Sequence, residues 1–394
     1  MALFNPKDIV SAIRQTLNNH ADTLPLHQPR FMGNEWQYLK NCLDSGWVSS
    51  VGEYVSQFEE KLAQYTGAQY AIAVVNGTAA LHTCLNLIGV QPNDEVLCPA
   101  LTFVATANAI NYCHAIPHFV DASFTTLGID TAKLVEYLDK NSVVNNKTCF
   151  NSNTGRPIRA LIAMHTYGHP VEIDRLQEIC ASFCITLVED AAESLGSQYN
   201  NQHTGTFGTV SALSFNGNKI MTSGGGGAIL TNDKHLALRA KHITTTAKTA
   251  HPWELNHDEL GYNYRLPNIN AALGLAQLEQ LDGFVQCKRQ LAIHYQQAFQ
   301  NMPGVTVFNE PPNAYSNYWL NILLLDADLA TKRDRLLGAL HDNHILSRPA
   351  WQLMHRLPMY CECPCMTLKN AEQLYQRIIC LPSSVKELEL ELEQ

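Results

Sequence analysis

Residues 70–89 read YAIAVVNGTAALHTCLNLIG, and the texture of the chain changes inside that stretch. Tyr70 to Val75 is an unbroken apolar run of strand length, as a strand buried on both faces requires. Gly77-Thr78 then opens a segment of helical period that closes at Gly89, the residue type that most readily ends a helix. The same beat recurs downstream. Glu95 to Cys98 and Ile116 to Val120 predict strands on either side of a helix-like segment over residues 102–113. Arg159 to Met164, Ile185 to Val188, Val210 to Phe215 and Ala228 to Thr231 predict four more, with a helix over Ile173 to Cys184. Strands alternating with helices imply an α/β class, a mixed and mostly parallel sheet flanked by helices.

Beyond about residue 275 the pattern loosens. Gln277 to Phe299 predicts one long helix, Tyr318 to Leu325 a strand, Thr331 to Asn343 a helix, and Ala371 marks a last one. The expected division is a large α/β domain over residues 1–275, including an amphipathic N-terminal helix, and a smaller C-terminal α+β domain over residues 276–394. The acidic end from Glu387 to Gln394 reads as a solvated tail.

Only 16% of the 394 residues are charged, against about 25% in typical soluble domains. A surface so poor in charge implies a substantial subunit interface, because interfaces of the obligate kind are apolar and depleted in charge. With 27 Lys+Arg against 36 Asp+Glu the formal net charge is -9 and no basic run appears, which argues against nucleic acid as the partner. The twelve cysteines are scattered, mostly inside apolar runs, and read as buried free thiols. Cys361, Cys363 and Cys365 have single-residue gaps, unlike the spacing of zinc or iron-sulfur sites, so no metal is expected. The N-terminus lacks a long apolar core and nowhere do ~18 apolar residues run together. The expectation is a cytoplasmic protein with no membrane partner.

In sheets of this kind ligands gather at the carboxyl ends of the strands, and several polar residues fall there. Asn76-Gly77-Thr78, at a strand-to-helix junction, reads either as an ordinary helix cap or as a phosphate cradle of free N–H groups and a hydroxyl. Asp190 ends the apolar run ITLVE; it is either a cap for a following helix or the partner of a protonated ring nitrogen. Lys219 lies just beyond another strand and just before Gly224 to Gly227. It is either a surface lysine or an amine that bonds a carbonyl carbon, with the glycines allowing close approach. Taken with Phe103, an aromatic side chain able to lie on a ring, the set matches one cofactor, pyridoxal phosphate (PLP).

The motifs extend well beyond these residues. Gly46-Trp47, Phe58-Glu59, the stretch from Asn76 to Leu81, Asp94 to Val96, Thr102 to Asn108, Glu189 to Ala192, Ser214-Phe215 with Lys219, and Gly261 to Arg265 together make the chain resemble the DegT/StrS sugar aminotransferases. That family has the fold-type I PLP architecture. The resemblance implies that Lys219 holds the cofactor covalently, Asp190 contacts the pyridine nitrogen and Phe103 stacks on the ring. It further implies that Gly77, Thr78 and Ser214 bind the phosphate, joined by Asn263 of the neighbouring subunit in a homodimer, and that Glu193 lies beside the ring. The chain departs from its relatives at Gly225, where an acidic residue is common.

By the same resemblance, the reaction is transfer of an amino group from glutamate to C4 of a nucleotide-linked 4-keto sugar, the cofactor passing through its pyridoxamine phosphate form. Gly46 to Gly52, His165 to Pro170, Asn216 to Lys219 and Thr244 to Lys248 are most similar to the branch acting on UDP-2-acetamido-2,6-dideoxy-4-keto-glucose, which serves bacillosamine and legionaminic acid synthesis for surface glycans. A GDP-linked 4-keto-6-deoxymannose, giving perosamine, is the enzymatic alternative, and a PLP-binding sensor without turnover is the non-enzymatic one. Arg265 reads as a candidate for the substrate diphosphate or as a structural ion pair. His165 reads as a neighbour of the ring or as a satisfied buried imidazole.

Overall fold

A computed structural model describes residues 4–17 and 22–385; the acidic end from Glu387 lies outside the described residues. The strands through the first two thirds of the chain are β1 (Tyr70–Val74), β2 (Glu95–Pro99), β3 (Ile116–Val120), β4 (Ser142–Asn145), β5 (Thr148–Asn151), β6 (Pro157–Met164), β7 (Thr186–Asp190), the two-residue β8 (Gln198–Tyr199) and β9 (Gln202–His203), β10 (Val210–Ser214) and β11 (Gly227–Thr231). The main sheet runs β1-β11-β10-β7-β6-β2-β3, and the β4-β5 hairpin extends it from β6. β11 is antiparallel to both neighbours, β1 and β10. The pairs from β10 through β7, β6 and β2 to β3 are parallel. The register sets Met164 and Ala212 on either side of Asp190. The tip of the central strand therefore carries the carboxylate.

The helices are α1 (Pro6–Thr16), α2 (Glu35–Ser45), α3 (Glu53–Thr66), α4 (Gly77–Leu87), α5 (Val104–Tyr112), α6 (Thr131–Asn141), α7 (Ile173–Phe183), α8 (Lys234–Thr244), α9 (Asn268–Leu278), α10 (Leu281–Phe299), α11 (Arg333–Asp342) and α12 (Lys369–Arg377). The remaining strands are β12 (Val305–Val307), β13 (Ala314–Tyr315), β14 (Asn321–Leu325), β15 (Arg348–Pro349) and β16 (Ile378–Leu381), of which β12-β14-β16-β15 form an antiparallel second sheet. Among the described residues no helix is long and apolar enough to cross a membrane.

Three expectations need correction. The long helix predicted from Gln277 breaks at Glu279-Gln280, leaving α9 against α2 and α3 and α10 as a separate helix. A division at residue 275 thus falls inside α9. The strand predicted from Tyr318 begins at Asn321, because residues 316–319 spend polar groups on the main domain, Ser316 Oγ donating to the Gly168 carbonyl and Asn317 Nδ2 to that of Glu193. The N-terminal helix does not join the core of the main sheet. Its apolar face, Ile9, Val10 and Ile13, packs with Leu291, Tyr295, Leu336 and Leu340 in the second core, as expected of an amphipathic helix that finds an apolar surface contributed by the other end of the chain.

None of the twelve cysteines is bridged. The Cys361 to Cys365 segment runs beside β3, Phe119 donating to the Pro364 carbonyl at 2.9 Å and Met366 to that of Phe119 at 3.0 Å. Cys361 and Cys363 lie in turns, Cys363 donating to the Tyr360 carbonyl at 3.1 Å, and Cys365 alone of the three bridges to Phe119.

The hairpin side of the sheet is held by a buried carboxylate. Glu95, fully buried at the start of β2, accepts from Asn151 Nδ2 at 2.8 Å and Thr154 Oγ1 at 2.6 Å and pairs with His118 Nδ1 at 2.8 Å. Burial opposes its charge, but the hydrogen bonds from His118, Asn151 and Thr154 outweigh that and hold the carboxyl below its ordinary range. Glu95→Ala removes the common acceptor and leaves buried donors unpaired. It is expected to lower unfolding stability by about 3 kcal/mol or more in urea denaturation; a loss under about 1 kcal/mol would contradict this role.

Candidate active site

The carboxyl ends of β2, β6, β7 and β10 open into one cavity of about 290 Å³. Seven of the eight expected site residues line it: Gly77, Thr78, Phe103, Asp190, Glu193, Ser214 and Lys219. They come from four separate segments, so what unites them is the sheet.

At one end, α4 begins where β1 stops. Asn76 caps the helix, its Oδ1 accepting the Ala79 N–H at 2.8 Å. The N–H groups of Gly77 and Thr78, in the first turn, have no intrahelical acceptor, and the helix dipole makes this end attractive to an anion. Gly77 is required by packing: a Cβ there would lie 2.9 Å from Ser214 Cβ. Its absence lets the Ser214 side chain close on the helix start, giving backbone N–H groups and two hydroxyls around one point. Asn76 is thus the cap, and the N–H groups of Gly77 and Thr78 stay available to an anion.

No helix follows Asp190; residues 191–197 form consecutive turns, with Ser194 donating to the Ala191 carbonyl and Ser197 to that of Ser194. The helix-cap reading of Asp190 is thereby withdrawn. Its Oδ2 accepts from Thr106 Oγ1 at 2.8 Å and its Oδ1 from the Ala192 N–H at 3.2 Å, leaving lone pairs for a further donor. Burial raises its carboxyl above the ordinary range, against those two hydrogen bonds. Thr106 also pairs with Thr102 Oγ1 at 2.8 Å, so the first turn of α5 ties the acid to the segment bearing Phe103. Phe103 itself stands at the helix start, half exposed on the cavity wall.

Lys219 Nζ lies 3.3 Å from Glu193 Oε1 and 4.2 Å from the centre of the Trp319 ring. Glu193 Oε2 accepts the Tyr167 N–H at 2.9 Å. Burial pushes the Glu193 carboxyl up to about 7, the Lys219 charge only partly offsetting it. Tyr167 adopts a left-handed conformation, φ +57°, which turns its N–H toward that carboxylate. The lysine loop is fastened from the C-terminal region, Trp319 Nε1 donating to the Asn218 carbonyl at 2.7 Å. Asn317 completes the strap. Its Nδ2 donates to the carbonyls of Glu193 at 3.0 Å and Leu195 at 2.8 Å, and its Oδ1 accepts from the Trp319 N–H at 2.8 Å.

The glycine run serves close packing. A Cβ on Gly227 would lie 2.6 Å from the Asn76 backbone, whereas one on Gly225 would meet nothing nearer than the Val75 carbonyl at 3.9 Å. Position 225, where relatives often carry an acid, thus faces open space.

Three candidates fall outside the cavity. Asn263 is exposed, its backbone bridged to Thr245. Arg265 is buried in a structural ion pair, 2.7 Å from Glu59 Oε1, and donates to the Ala73 carbonyl at 3.0 Å. His165 is a satisfied buried imidazole: Nε2 lies 3.0 Å from Glu189 Oε2, and Nδ1 accepts the Val171 N–H. Trp319, Trp351 and Thr106 were not singled out from the sequence as site residues. The two tryptophans lie in the irregular C-terminal stretch, and the only signal they offered was their scarcity, five in the chain.

The donor set suits PLP. A cradle closed by the missing Cβ of Gly77 fits a phosphate, Asp190 has acceptor capacity for a ring N–H, and Lys219 presents an amine beside a proton acceptor. Comparison with known proteins agrees. Residues 30–392 match the model of the DegT/DnrJ/EryC1/StrS aminotransferase family. The chain is similar to a GDP-perosamine synthase of Escherichia coli O157:H7, 39% identical over 360 residues, 91% of this chain and 93% of that protein. It is similar to a putative pyridoxal phosphate-dependent aminotransferase, EpsN, of Bacillus subtilis, 35% identical over 91% of this chain and 90% of that one. Among solved structures, the aminotransferase TlmJ of Streptoalloteichus hindustanus superposes with a TM-score of 0.84 at 26% identity, covering 94% of this chain and 96% of that one. From its strand order to its lysine loop the chain is a PLP-dependent enzyme, and it belongs to the DegT/DnrJ/EryC1/StrS aminotransferase family.

Proposed function

We propose that the protein transfers an amino group from glutamate to the C4 ketone of a nucleotide-linked 4-keto-6-deoxy sugar. The observation that carries this reading is the meeting of Lys219, Glu193 and Asp190 in one buried cavity beside a phosphate cradle. Gly77, Thr78 and Ser214 bind the cofactor phosphate, Asp190 accepts from the pyridine nitrogen, and Phe103 covers one face of the ring. When bound, PLP supplies an aldehyde to take up the amino group and a ring that draws electrons from the reacting carbon. Lys219 Nζ moves the proton on and off that carbon. Glu193, 3.3 Å from Nζ and with its carboxyl raised to about 7, stands within reach to exchange a proton with that amine.

For the nucleotide, GDP-4-keto-6-deoxymannose ranks first. The E. coli relative, a GDP-perosamine synthase, is 39% identical to this chain over almost its whole length. The UDP-2-acetamido-2,6-dideoxy-4-keto-glucose reading, put first from sequence stretches such as His165 to Pro170, becomes the second. We place Asn263 at the phosphate of a neighbouring subunit in a homodimer. Its exposed position supports this, as do the large apolar side chains left exposed at Trp47, Val51, Trp253, Leu255 and Leu260. Unbridged thiols fit the cytoplasm.

Three outcomes test this reading. Given the pyridoxamine phosphate form, the enzyme is expected to return to the PLP spectrum faster with GDP-4-keto-6-deoxymannose than with the UDP-linked keto-sugar. The reverse order would restore the UDP reading, and no return with either would reject both. Lys219→Ala is expected to lose at least about 10³-fold in amino transfer, measured as 2-oxoglutarate formed from glutamate; wild-type rates would remove the lysine from the chemistry. In cofactor-free protein, Glu193 binds its proton more tightly folded than unfolded, so stability falls as pH rises from the ordinary carboxyl range through about 7. The fall should be on the order of 3 kcal/mol at about 1.4 kcal/mol per unit. Urea denaturation of Glu193→Gln should show a flatter profile over that window, and an identical slope would contradict the raised carboxyl.

A further inference from the structure

Opposite the polar groups, the cavity wall is aromatic. Trp319 precedes β14 and Trp351 follows β15, and both indoles line the cavity although neither belongs to the main sheet. Each is held rigidly. Trp319 is fixed at both nitrogens, by Asn317 Oδ1 and the Asn218 carbonyl. Trp351 stacks on the buried Tyr167 ring, centroids 4.5 Å apart and planes 21° apart, and Tyr167 lies at 20° to Trp319 with centroids 6.5 Å apart. Phe103 meets the edge of Trp351 at 6.2 Å. Three residues on from Trp351, Met354 donates to the Ala100 carbonyl at 3.0 Å, fastening that segment beside the start of α5.

A stack of this kind cannot re-pack to suit a ligand, and the Trp319 N–H is already satisfied, so it offers no donor to a hydroxyl. Such a surface suits the C–H face of a pyranose and a methyl substituent, and it leaves a hydroxymethyl group without its water. The reacting amine of Lys219 faces the same indole, which places the wall beside the carbon that reacts. We propose that Trp351, backed by Tyr167 and the buried Trp319, forms a sugar-face subsite that packs on the hexose of the nucleotide sugar and selects a 6-methyl over a 6-hydroxymethyl group. This rests on the nucleotide-sugar reading above and adds the part of the substrate that is read.

Binding to the PLP-loaded enzyme tests it without turnover. Calorimetric titration with GDP-D-rhamnose against GDP-mannose, and with UDP-N-acetylquinovosamine against UDP-N-acetylglucosamine, compares pairs that differ only at C6. For the pair whose nucleotide the enzyme accepts, the 6-deoxy member should bind about tenfold tighter. In Trp351→Ala the ratio should fall toward one, and in Trp351→Phe most of it should return. Trp351→Leu, which keeps bulk without the flat face, should resemble Trp351→Ala. A wild-type ratio near one in both pairs, absence of binding in both, or a ratio preserved in Trp351→Ala and Trp351→Leu would overturn the subsite. Amino transfer to neither keto-sugar together with a tenfold ratio would reject the proposed reaction and keep the subsite; transfer with a ratio near one would do the opposite.

Discussion

Three ionisable side chains taken out of water at the end of a parallel sheet set the terms for everything else in this molecule. Asp190 and Glu193 are buried at the wall of the cavity that Lys219 also lines, and desolvated charge is tolerated only where partners and hydrogen bonds are supplied. Thr106 and the Ala192 N–H supply them to Asp190, and Lys219 and the Tyr167 N–H to Glu193. The sheet order explains why the groups meet: β7 is central, β10 lies beside it, and β11 turns back antiparallel so that the glycine run can pass against Asn76. Burial raises both carboxyls, and a carboxyl near neutrality beside an amine is a proton store suited to base chemistry.

The second feature is that the C-terminal region is built into the site. Asn317 clasps the turn that holds Glu193, Trp319 clasps the loop that holds Lys219, and Trp351 is stacked on Tyr167, whose N–H serves Glu193. Buried Lys288 extends the tie, donating to the carbonyls of Trp319 and Ser383. Groups around Lys219 and Glu193 thus come from the sheet, and the aromatic surface that faces them comes from the other region. Small displacements of that region would be felt at Nζ, because the connecting bonds are short and buried.

Much of this was legible in the residues themselves. Strands fully buried in a parallel sheet are written as apolar runs, so β1, β2, β3, β6, β7, β10 and β11 were found within about two residues. The polar residues that end them were then the obvious site, and Gly77, Thr78, Asp190, Ser214 and Lys219 do meet in one cavity. What was not legible depends on contacts distant in sequence. Nothing local in residues 6–16 says that their apolar face will pack on α10 and α11. Nothing local in SNYW says that residues 316–319 will give up a strand ladder to hold loops at Glu193 and Lys219. The nature of His165 and Arg265 was likewise set by partners far along the chain or across a strand, Glu189 and Glu59.

The central claim is that the amine at position 219, and no other, bonds the cofactor's aldehyde. Borohydride reduction of the PLP-loaded protein, followed by proteolysis and mass spectrometry, reads that bond directly. The account predicts a stable phosphopyridoxyl adduct on the peptide containing Lys219. An adduct confined to a different lysine, or full cofactor content with no reducible adduct, would contradict it.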